Sequence, residues 1–275
     1  MRERLASMGV PVPAFTPVAT AEDVAGFGRH VGWPLVLKAA TGGYDGRGVW
    51  VVRDAAAAQQ VLASGVRLFA EELVPMVREL AAVVARSPYG QAAAWPVVET
   101  VQHDGVCIEV VAPAPGLGEE LALQAEGLAL RLAGELDVVG VLAVELFQTA
   151  DGLVVNELAM RPHNSAHWTI EGARTSQFEQ HLRAVLDYPL GDPSATAAWT
   201  VMANLLGPER PLPEGELDRR LHMLFARDPA LKIHLYGKTV RPGRKIGHVT
   251  ALGDDIDVVR RRARDGASYL RDGDR

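Results

Sequence analysis

The stretch Pro34-Leu-Val-Leu-Lys-Ala-Ala-Thr-Gly-Gly-Tyr-Asp-Gly-Arg-Gly-Val-Trp-Val-Val52 places one lysine at the end of an apolar run, directly before a loop with four glycines. A second apolar run resumes at Val49. This pattern predicts a strand, a glycine loop and another strand, with Lys38 where the first strand ends. Glycines let backbone N–H groups approach an anion closely, and the lysine supplies a charge for phosphate. The alternative is an ordinary glycine-rich hairpin turn, because the loop follows neither the Walker pattern nor a strand-to-helix dinucleotide turn.

The residues around this stretch predict a small unit of helices and strands. Thr20-Ala-Glu-Asp23 resembles a capping box, and Asp54 is placed to cap an alanine-rich helix. An apolar run from Val66 leads as a strand into Glu71-Glu-Leu-Val74. Residues from about 18 to 72 therefore form a unit that carries the glycine loop and is a candidate lid.

Composition narrows the class of protein. The 275 residues suffice for one large or two modest domains, and 48% apolar with 23% charged residues is typical of a soluble globular protein. No apolar run is long enough to suggest a membrane span, and Met1 is not followed by the apolar core of a signal peptide. We therefore expect a cytoplasmic protein without a membrane partner. The net charge of −6 argues against a nucleic-acid partner. The single Cys107 cannot form an internal disulfide and is expected in the core or in a strand.

A second motif places two glutamates on a predicted hairpin. The runs 140–149 and 153–158 are joined by Ala150-Asp-Gly152, which is a strong turn signal. A turn centred on Asp151 puts Glu145 opposite Glu157 in otherwise apolar strands, where like charges destabilise each other. A bridging Mg²⁺ removes that problem, and Asn156 adds a neutral oxygen ligand. The alternative is that one glutamate points to solvent or meets an arginine.

The segment after the hairpin, Ala159 to Trp168, has no regular periodicity and is rich in Arg, His, Asn and Ser. Such a segment is either a solvated connection or a ligand-binding loop, and its position after the acidic hairpin favours the second. Ser176-Gln-Phe-Glu179 then predicts a capped helix. That helix is expected to turn three apolar side chains inward, those of Phe178, Leu182 and Val185.

The last third of the sequence carries a basic patch. Pro189, Gly191 and Pro193 mark a break in the fold, so we place a domain boundary between residues 192 and 193. The span from Lys232 to His248 contains five Lys or Arg residues, two histidines and no acid. We interpret this as a site for a particular anion, against the alternative of a strand edge protected by charge. The final helix, from about Asp255 to Leu270, is strongly charged and is expected on the surface.

These motifs in their order resemble one family, 5-(carboxyamino)imidazole ribonucleotide synthase. The residues that carry the resemblance are Val36-Leu-Lys38, the Thr41 to Gly48 loop, Val141 to Glu145, Val155-Asn-Glu157, Arg161 to Trp168 and Val240-Arg-Pro-Gly-Arg-Lys-Ile-Gly-His248. The similarity runs from Met1 to about Leu252.

The resemblance implies an α+β ATP-grasp fold, in which two α+β subdomains clasp ATP. On this chain it would occupy residues 1–192, with the lid at about 18–72, followed by a small β-rich C-terminal domain at 193–275. In such enzymes ATP phosphorylates bicarbonate to carboxyphosphate, which delivers carbon dioxide to the exocyclic amine of 5-aminoimidazole ribonucleotide in purine biosynthesis. The family further implies a homodimer.

The resemblance also implies residue roles for ATP. Lys38 would bind the phosphates, Glu71 to Val74 would line the adenine, and Glu79 would bind the ribose. Glu145 and Glu157 would hold Mg²⁺ against the β- and γ-phosphates. The complete set implied for ATP is Lys38, Gly43, Tyr44, Asp45, Gly46, Arg47, Gly48, Val49, Glu71, Glu72, Leu73, Val74, Glu79, Gln102, Asn156 and Glu157.

A second set of residues would act on the other substrates. The catalytic residues implied by the resemblance are Arg161, Tyr44, Asp45, Arg47 and Lys245. Those implied for binding the nucleotide substrate are His163, Asn164, Ser165, Lys238 and Arg244. We assign the carboxyphosphate to Arg161, because a guanidinium fork matches planar oxyanions.

The sequence departs from the family in three places. The family has a further nucleotide-binding α/β domain before the point where this sequence starts, so one alternative is an ATP-binding remnant or subunit without independent activity. Gln102 replaces an ATP-contacting histidine, with His103 next to it. Ala166 replaces a glycine, which would strain the loop if that position required a positive φ. A further alternative is another ATP-grasp ligase that joins a different carboxylate and amine.

Overall fold

The computed structural model describes residues 1–42 and 48–273. Its helices are α1 (Arg2–Ser7), α2 (Ala21–Val31), α3 (Ala55–Leu62), α4 (Glu119–Glu135), α5 (Thr169–Gly172), α6 (Gln177–Val185), α7 (Glu216–Arg227) and α8 (Ile256–Asp272), with a 3₁₀ turn at Asn164–Ala166. Its strands are β1 (Phe15–Val18), β2 (Leu35–Ala39), β3 (Val49–Val52), β4 (Leu68–Glu72), β5 (Arg78–Arg86), β6 (Ala92–Ala94), β7 (Val98–His103), β8 (Val106–Ala112), β9 (Gly140–Thr149), β10 (Gly152–Ala159), β11 (Trp199–Leu206), β12 (Lys232–Leu235) and β13 (Lys245–Gly253).

The described strands form two sheets. The smaller has four strands in the order β1-β4-β2-β3. The larger has nine strands in the order β10-β9-β5-β7-β8-β11-β13-β12, with β6 paired to β5. By density of contacts the chain divides into two compact units. The first contains Met1–Arg78, His103–Val106 and Leu146–Glu157, and the second contains Glu79–Gln102, Cys107–Glu145 and Leu158–Arg275.

In the first unit, the small antiparallel sheet carries the phosphate-loop lysine. Lys38 lies near the end of β2, paired with Phe69 on one side and with Val49 on the other. Neighbouring apolar side chains fill the space between the sheet and helices α2 and α3: Val18, Val24, Leu35, Leu37, Val52, Ala58, Leu68 and Ala70. The sheet therefore holds the backbone of Lys38 rigidly on both sides.

Both predicted helix caps in this unit are confirmed. The Thr20 hydroxyl accepts a hydrogen bond from the Asp23 N–H, and the Asp23 carboxylate accepts from the Thr20 N–H in return. The Asp54 carboxylate accepts from the Ala57 N–H at the start of α3. Each cap satisfies backbone donors that the first helical turn leaves unpaired.

In the second unit, the large sheet is covered by α8 through a buried apolar seam. Val259, Ala263 and Leu270 of α8 pack against β11 and β13. The expectation of a surface helix is therefore wrong for one face, because the charged residues of this sequence alternate with an apolar stripe at helical spacing. Glu109 is fully buried beneath α8, where Arg260 donates to it at 2.6 Å and Arg264 donates as well.

Helix α6 faces the opposite way from the prediction. Phe178, Leu182 and Val185 are 42%, 58% and 42% exposed, so the expectation that they face inward is wrong. The helix instead buries Gln177, Gln180 and Ala184. The reason is hydrogen bonding, since each buried glutamine amide pairs with backbone groups of a neighbouring loop that would otherwise be unsatisfied.

Two further differences arise from proline and from local backbone geometry. The run 92–100, whose apolar residues predict one strand, is split into β6 and β7, because Pro96 has no N–H for the ladder. Ala166 lies in the 3₁₀ turn, and among the described non-glycine residues a positive φ occurs at Asp104, Asp137 and Asp187. Ala166 therefore causes none of the strain considered for a glycine position.

The predicted hairpin is confirmed as β9 and β10, with its turn at Ala150-Asp151. The prediction that Glu145 and Glu157 face each other across it stays a prediction. The boundary at 192–193 also stays a prediction. Strand β11, which follows it, pairs with β8 and β13 in the large sheet, with Thr200 opposite Ala112 on one side.

Candidate active site

The first unit contains a cluster of charged and amide side chains around Lys38. The Lys38 Nζ lies 2.7 Å from Glu71 Oε2 and donates to Asn156 Oδ1 at 3.0 Å. Glu71 is 2% exposed and Lys38 is 19% exposed. Three residues predicted for ATP thus meet directly, from β2, β4 and β10.

Arg2 is a member of this cluster that the sequence analysis missed. Its Nε donates to Glu71 Oε1, and its NH1 donates to the Val155 carbonyl at 2.7 Å. Arg2 is 5% exposed although it lies in the first turn of α1. One signal for it exists, because Arg2 and Leu5 are three residues apart and so share the buried face of the helix.

The Glu71 carboxylate is therefore held between two cations, and the three side chains together carry a net positive charge. The two cationic partners compensate for the burial of the carboxylate charge. The arrangement fixes the Lys38 ammonium at a defined point while it keeps an excess of positive charge for an anion such as a phosphate.

The segment predicted to line the adenine divides between buried and exposed side chains. The Glu71 side chain belongs to the charged cluster, and Glu72 accepts a hydrogen bond from the Ala14 N–H at 3.0 Å. Leu73 is 46% exposed, and the Val74 carbonyl accepts from the Met76 N–H at 2.8 Å. A role for this segment in adenine binding stays a prediction.

The glycine loop is described only at its two ends. The Gly48 carbonyl accepts from the Ala39 N–H at 2.7 Å, which closes the base of the loop where β3 begins at Val49. The predictions for Gly43, Tyr44, Asp45, Gly46 and Arg47 lie outside the described residues.

The predicted metal residues differ in their surroundings. Glu157 is exposed on β10, and Glu145 on β9 is 30% exposed with its Oε1 3.3 Å from His163 Nε2. The Asn156 amide oxygen accepts from Lys38, so it already has a hydrogen-bond partner. Over residues 1–42 and 48–273 there is no group of three or more His, Cys, Asp or Glu side chains that could hold a metal ion.

In the second unit, the loop after β10 brings its polar residues together around His163. The ring Nδ1 lies 2.9 Å from the Ser165 hydroxyl and 3.4 Å from the Ser165 N–H. A backbone N–H can only donate, so Nδ1 is the accepting nitrogen and Nε2 carries the proton that faces Glu145. Asn164 exchanges two hydrogen bonds with Asn204, at 2.9 and 2.8 Å.

Asn204 was not predicted, and it connects this loop to the sheet. Its amide nitrogen also donates to the Cys107 carbonyl at 2.9 Å. Burial raises the pKa of the Cys107 thiol to about 12, with smaller contributions from Lys245, which lowers it, and from Glu145 and Glu79, which raise it. The charges of Glu79, Glu145 and Lys245 therefore all act on the Cys107 thiol. Cys107 itself is a strand residue of β8, as expected.

The basic patch holds an acid that is distant in sequence. Glu171 lies 2.7 Å from His234 Nε2, and the Tyr236 hydroxyl lies 2.8 Å from His248 Nδ1. The Lys238 ammonium lies 4.9 Å from the centre of the Tyr236 ring, at cation–π distance. The patch is thus a layer of histidine and tyrosine rings with a lysine over one of them.

The remaining predicted residues lie in loops or on strands of the large sheet. Arg161 is exposed and donates to the Pro162 carbonyl at 3.1 Å, while Arg244 donates to the Thr239 carbonyl at 3.2 Å. Gln102 lies on β7, and Glu79 lies on β5 opposite Thr100. No described helix is long and apolar enough to span a bilayer.

Comparison with known proteins finds two family models that match successive parts of the chain. A family model described as an ATP-grasp domain matches residues 3–178, and one described as the phosphoribosylaminoimidazole carboxylase C-terminal domain matches residues 200–262. The N5-carboxyaminoimidazole ribonucleotide synthase of Corynebacterium ammoniagenes is 49% identical over 284 residues, which covers 98% of this chain and 67% of that protein. The chain belongs to the N5-carboxyaminoimidazole ribonucleotide synthase family.

The fold is accordingly the ATP-grasp fold of that family, as the sequence analysis predicted. The synthetase from Thermus thermophilus is 39% identical, with a TM-score of 0.83 over 98% of this chain and 71% of that one. A synthase from Aspergillus clavatus, described as a complex with ADP and 5-aminoimidazole ribonucleotide, is 30% identical with a TM-score of 0.87. The chain also matches the synthase of Mycobacterium tuberculosis (strain ATCC 25618 / H37Rv) with 58% identity over 99% of its length, and it spans 65% of that relative.

Proposed function

We propose that this chain carries the ATP- and bicarbonate-dependent carboxylation of 5-aminoimidazole ribonucleotide, through carboxyphosphate. The observation that carries the proposal is the Arg2, Glu71 and Lys38 cluster, joined to Asn156, because it provides a fixed excess of positive charge next to the base of the glycine loop at Ala39 and Gly48. The family supports the choice of reaction, and the Aspergillus relative supports the choice of nucleotide substrate.

In this proposal residues of the first unit bind the phosphates of ATP. Lys38 and Arg2 supply charge for the phosphates, and Glu71 keeps both side chains in place. Glu145 and Glu157 would hold Mg²⁺, since carboxylates are the ligands that this hard cation prefers, and the bound ion would supply charge stabilisation for phosphoryl transfer. A bicarbonate oxygen attacks the γ-phosphorus, the bond to the bridging oxygen breaks, and ADP leaves.

The second unit then acts on carboxyphosphate and on the nucleotide. Arg161 would bind the carboxyphosphate oxygens through its planar fork. Cleavage of the C–O bond releases carbon dioxide and phosphate, and the substrate amine forms the new N–C bond as it loses a proton. Lys238, Arg244 and Lys245 would bind the anionic end of the nucleotide, and the His163 to Ser165 turn would contact its base.

We further propose a cytoplasmic enzyme that acts as a homodimer on small-molecule substrates. The family's place in purine biosynthesis supports the location. The homodimer rests on the family resemblance.

The metal assignment is tested by Glu157→Gln, which keeps the shape of the side chain but removes its charge. We expect Mg²⁺-dependent ATP turnover to fall at least about a hundredfold, because a lost charge in the transition state is worth several kcal/mol. Since Glu157 is exposed, the melting temperature should change little. Asp151→Asn is the matched control, because it removes an exposed charge from the turn of the same hairpin. Full activity in Glu157→Gln would refute the assignment.

A further inference from the structure

Gln177 is buried at the start of α6, and the direction of its amide is determined by backbone groups. Its Oε1 accepts from the His163 N–H at 2.8 Å, and its Nε2 donates to the His163 carbonyl at 2.9 Å. A backbone N–H can only donate and a carbonyl can only accept, so the oxygen and nitrogen of this amide cannot be exchanged. Both bonds go to one residue, so Gln177 fixes the backbone of the loop at His163.

The second hydrogen on the Gln177 Nε2 is directed at His167. The two atoms Gln177 Nε2 and His167 Nδ1 are 2.7 Å apart. Because the amide nitrogen carries only donors, His167 Nδ1 must be an acceptor, and the ring proton must be on Nε2. One buried glutamine thereby sets both the position of His163 and the tautomer of His167.

The ring of His167 belongs to the layer of rings in the basic patch. Its centre lies 5.4 Å from that of His248 and 5.9 Å from that of Tyr236, whose face carries the Lys238 ammonium. On another side it stacks on Phe178 at 5.5 Å. The ring is thus fixed by packing as well as by its hydrogen bond.

An imidazolium at this place would be repelled by its surroundings. Burial and, after it, the charges of Lys245, His234, Lys238 and Arg161 in that order lower the pKa of His167 to about 4. Three of these four residues are those assigned to substrate anions, so His167 lies within electrostatic range of the same site.

We propose that His167 is a neutral Nε2–H hydrogen-bond donor of the substrate-anion site, and that Gln177 is the residue that positions it. This rests on the proposed function for the identity of the anion, which is the 5-aminoimidazole ribonucleotide phosphate. A neutral donor adds a directed hydrogen bond beside the lysines without adding to their mutual repulsion. It extends the substrate site beyond the residues that the sequence analysis assigned to it.

Gln177→Glu tests the proposal, because the substituted side chain has the same shape. Its carboxylate still accepts from the His163 N–H but offers no donor to the His163 carbonyl or to His167 Nδ1. We expect the ring-nitrogen NMR signals of His167 to change from the neutral Nε2–H pattern to the doubly protonated pattern at neutral pH. The KM for 5-aminoimidazole ribonucleotide should rise about tenfold or more, as for a lost hydrogen bond to a charged group, while the KM for ATP stays unchanged.

Gln180→Glu is the matched control. Gln180 lies in the same helix, is equally buried, and binds both backbone groups of Gly191 at 2.7 and 2.8 Å. Gln180→Glu should lower the stability of the folded chain about as much as Gln177→Glu does. It should leave the His167 NMR signals and the KM for the nucleotide unchanged. The proposal is overturned if Gln180→Glu raises that KM equally, if Gln177→Glu leaves it unchanged, or if wild-type His167 is protonated on Nδ1. If the wild-type chain shows no nucleotide-dependent turnover, the proposed function fails, whereas the NMR pattern and calorimetric nucleotide binding still decide this proposal.

Discussion

Replacing Glu71 by glutamine removes the carboxylate that Arg2 and Lys38 share. The substituted amide would still fill the same space, but two cations that are 5% and 19% exposed would lose their counter-charge. Removing one partner of a buried ion pair costs about 3–5 kcal/mol. Lys38 keeps its bond to Asn156 and some contact with water, so we expect a loss of about 3 kcal/mol, near the lower end of that range.

This loss should be visible as a lower melting temperature of the ligand-free chain. For domains of this size each kcal/mol corresponds to about 2–4 °C, which gives a decrease of roughly 6–12 °C. ATP should then stabilise Glu71→Gln more than it stabilises the wild type. The reason is that the phosphates replace the missing negative charge beside two unpaired cations.

Glu72→Gln is the control in thermal unfolding with and without MgATP. Glu72 is the next residue on β4 and accepts one hydrogen bond from the Ala14 N–H, which a glutamine oxygen can also accept. We expect a loss of about 1 kcal/mol or less and no extra stabilisation by ATP. If both variants lose the same stability, or if ATP stabilises Glu71→Gln no more than the wild type, the charged cluster does not act as described.

Two further predictions concern the second unit. In Gly207→Ala the added Cβ would lie 2.0 Å from the Arg241 carbonyl oxygen, so the loop that carries Arg244 must shift. We therefore expect calorimetry to show several-fold weaker binding of 5-aminoimidazole ribonucleotide. Gly134→Ala on α4 is its control, because nothing lies within 4 Å of that Cβ and a gain of about 0.4–1 kcal/mol is expected there. Burial lowers the pKa of His167 to about 4 and that of His248 to about 3, so below pH 6.5 the unfolded chain binds protons that the folded chain rejects. The contribution of these two neutral histidines to stability should therefore be present above that pH. The free energy of unfolding, measured with urea, should fall by about 3 kcal/mol at about pH 5.5. In His248→Asn about half of this dependence should disappear, and a variant with the full dependence would contradict the assignment.

Local sequence signals predicted most of the fold. The caps at Thr20 and Asp54, the hairpin at Asp151 and the strand before Lys38 each depend on residues within a few positions of one another. Such signals act through the backbone, and tertiary packing did not override them here. The family resemblance then supplied the topology that local patterns leave open.

The errors at α6 and at Arg2 have a different cause, which is pairing between residues distant in sequence. The inward face of α6 was wrong because Gln177 and Gln180 bind the backbone near His163 and at Gly191, and no periodicity reveals such partners. Arg2 was missed for the same reason, since its partners Glu71 and Val155 are 69 and 153 positions away. In α8, charged residues such as Arg260 bind the buried Glu109. A high content of charged residues therefore did not mean that the whole helix is exposed.

The central claim is that this chain transfers phosphate from ATP to bicarbonate and passes the carbon to 5-aminoimidazole ribonucleotide. It is tested most directly with ¹⁸O-labelled bicarbonate, Mg²⁺ and ATP, with and without the nucleotide, by mass spectrometry of the phosphate released. Attack by a bicarbonate oxygen and later C–O cleavage predict one ¹⁸O atom in each phosphate, with release stimulated by the nucleotide. Unlabelled phosphate, or release that does not respond to 5-aminoimidazole ribonucleotide, would contradict the account.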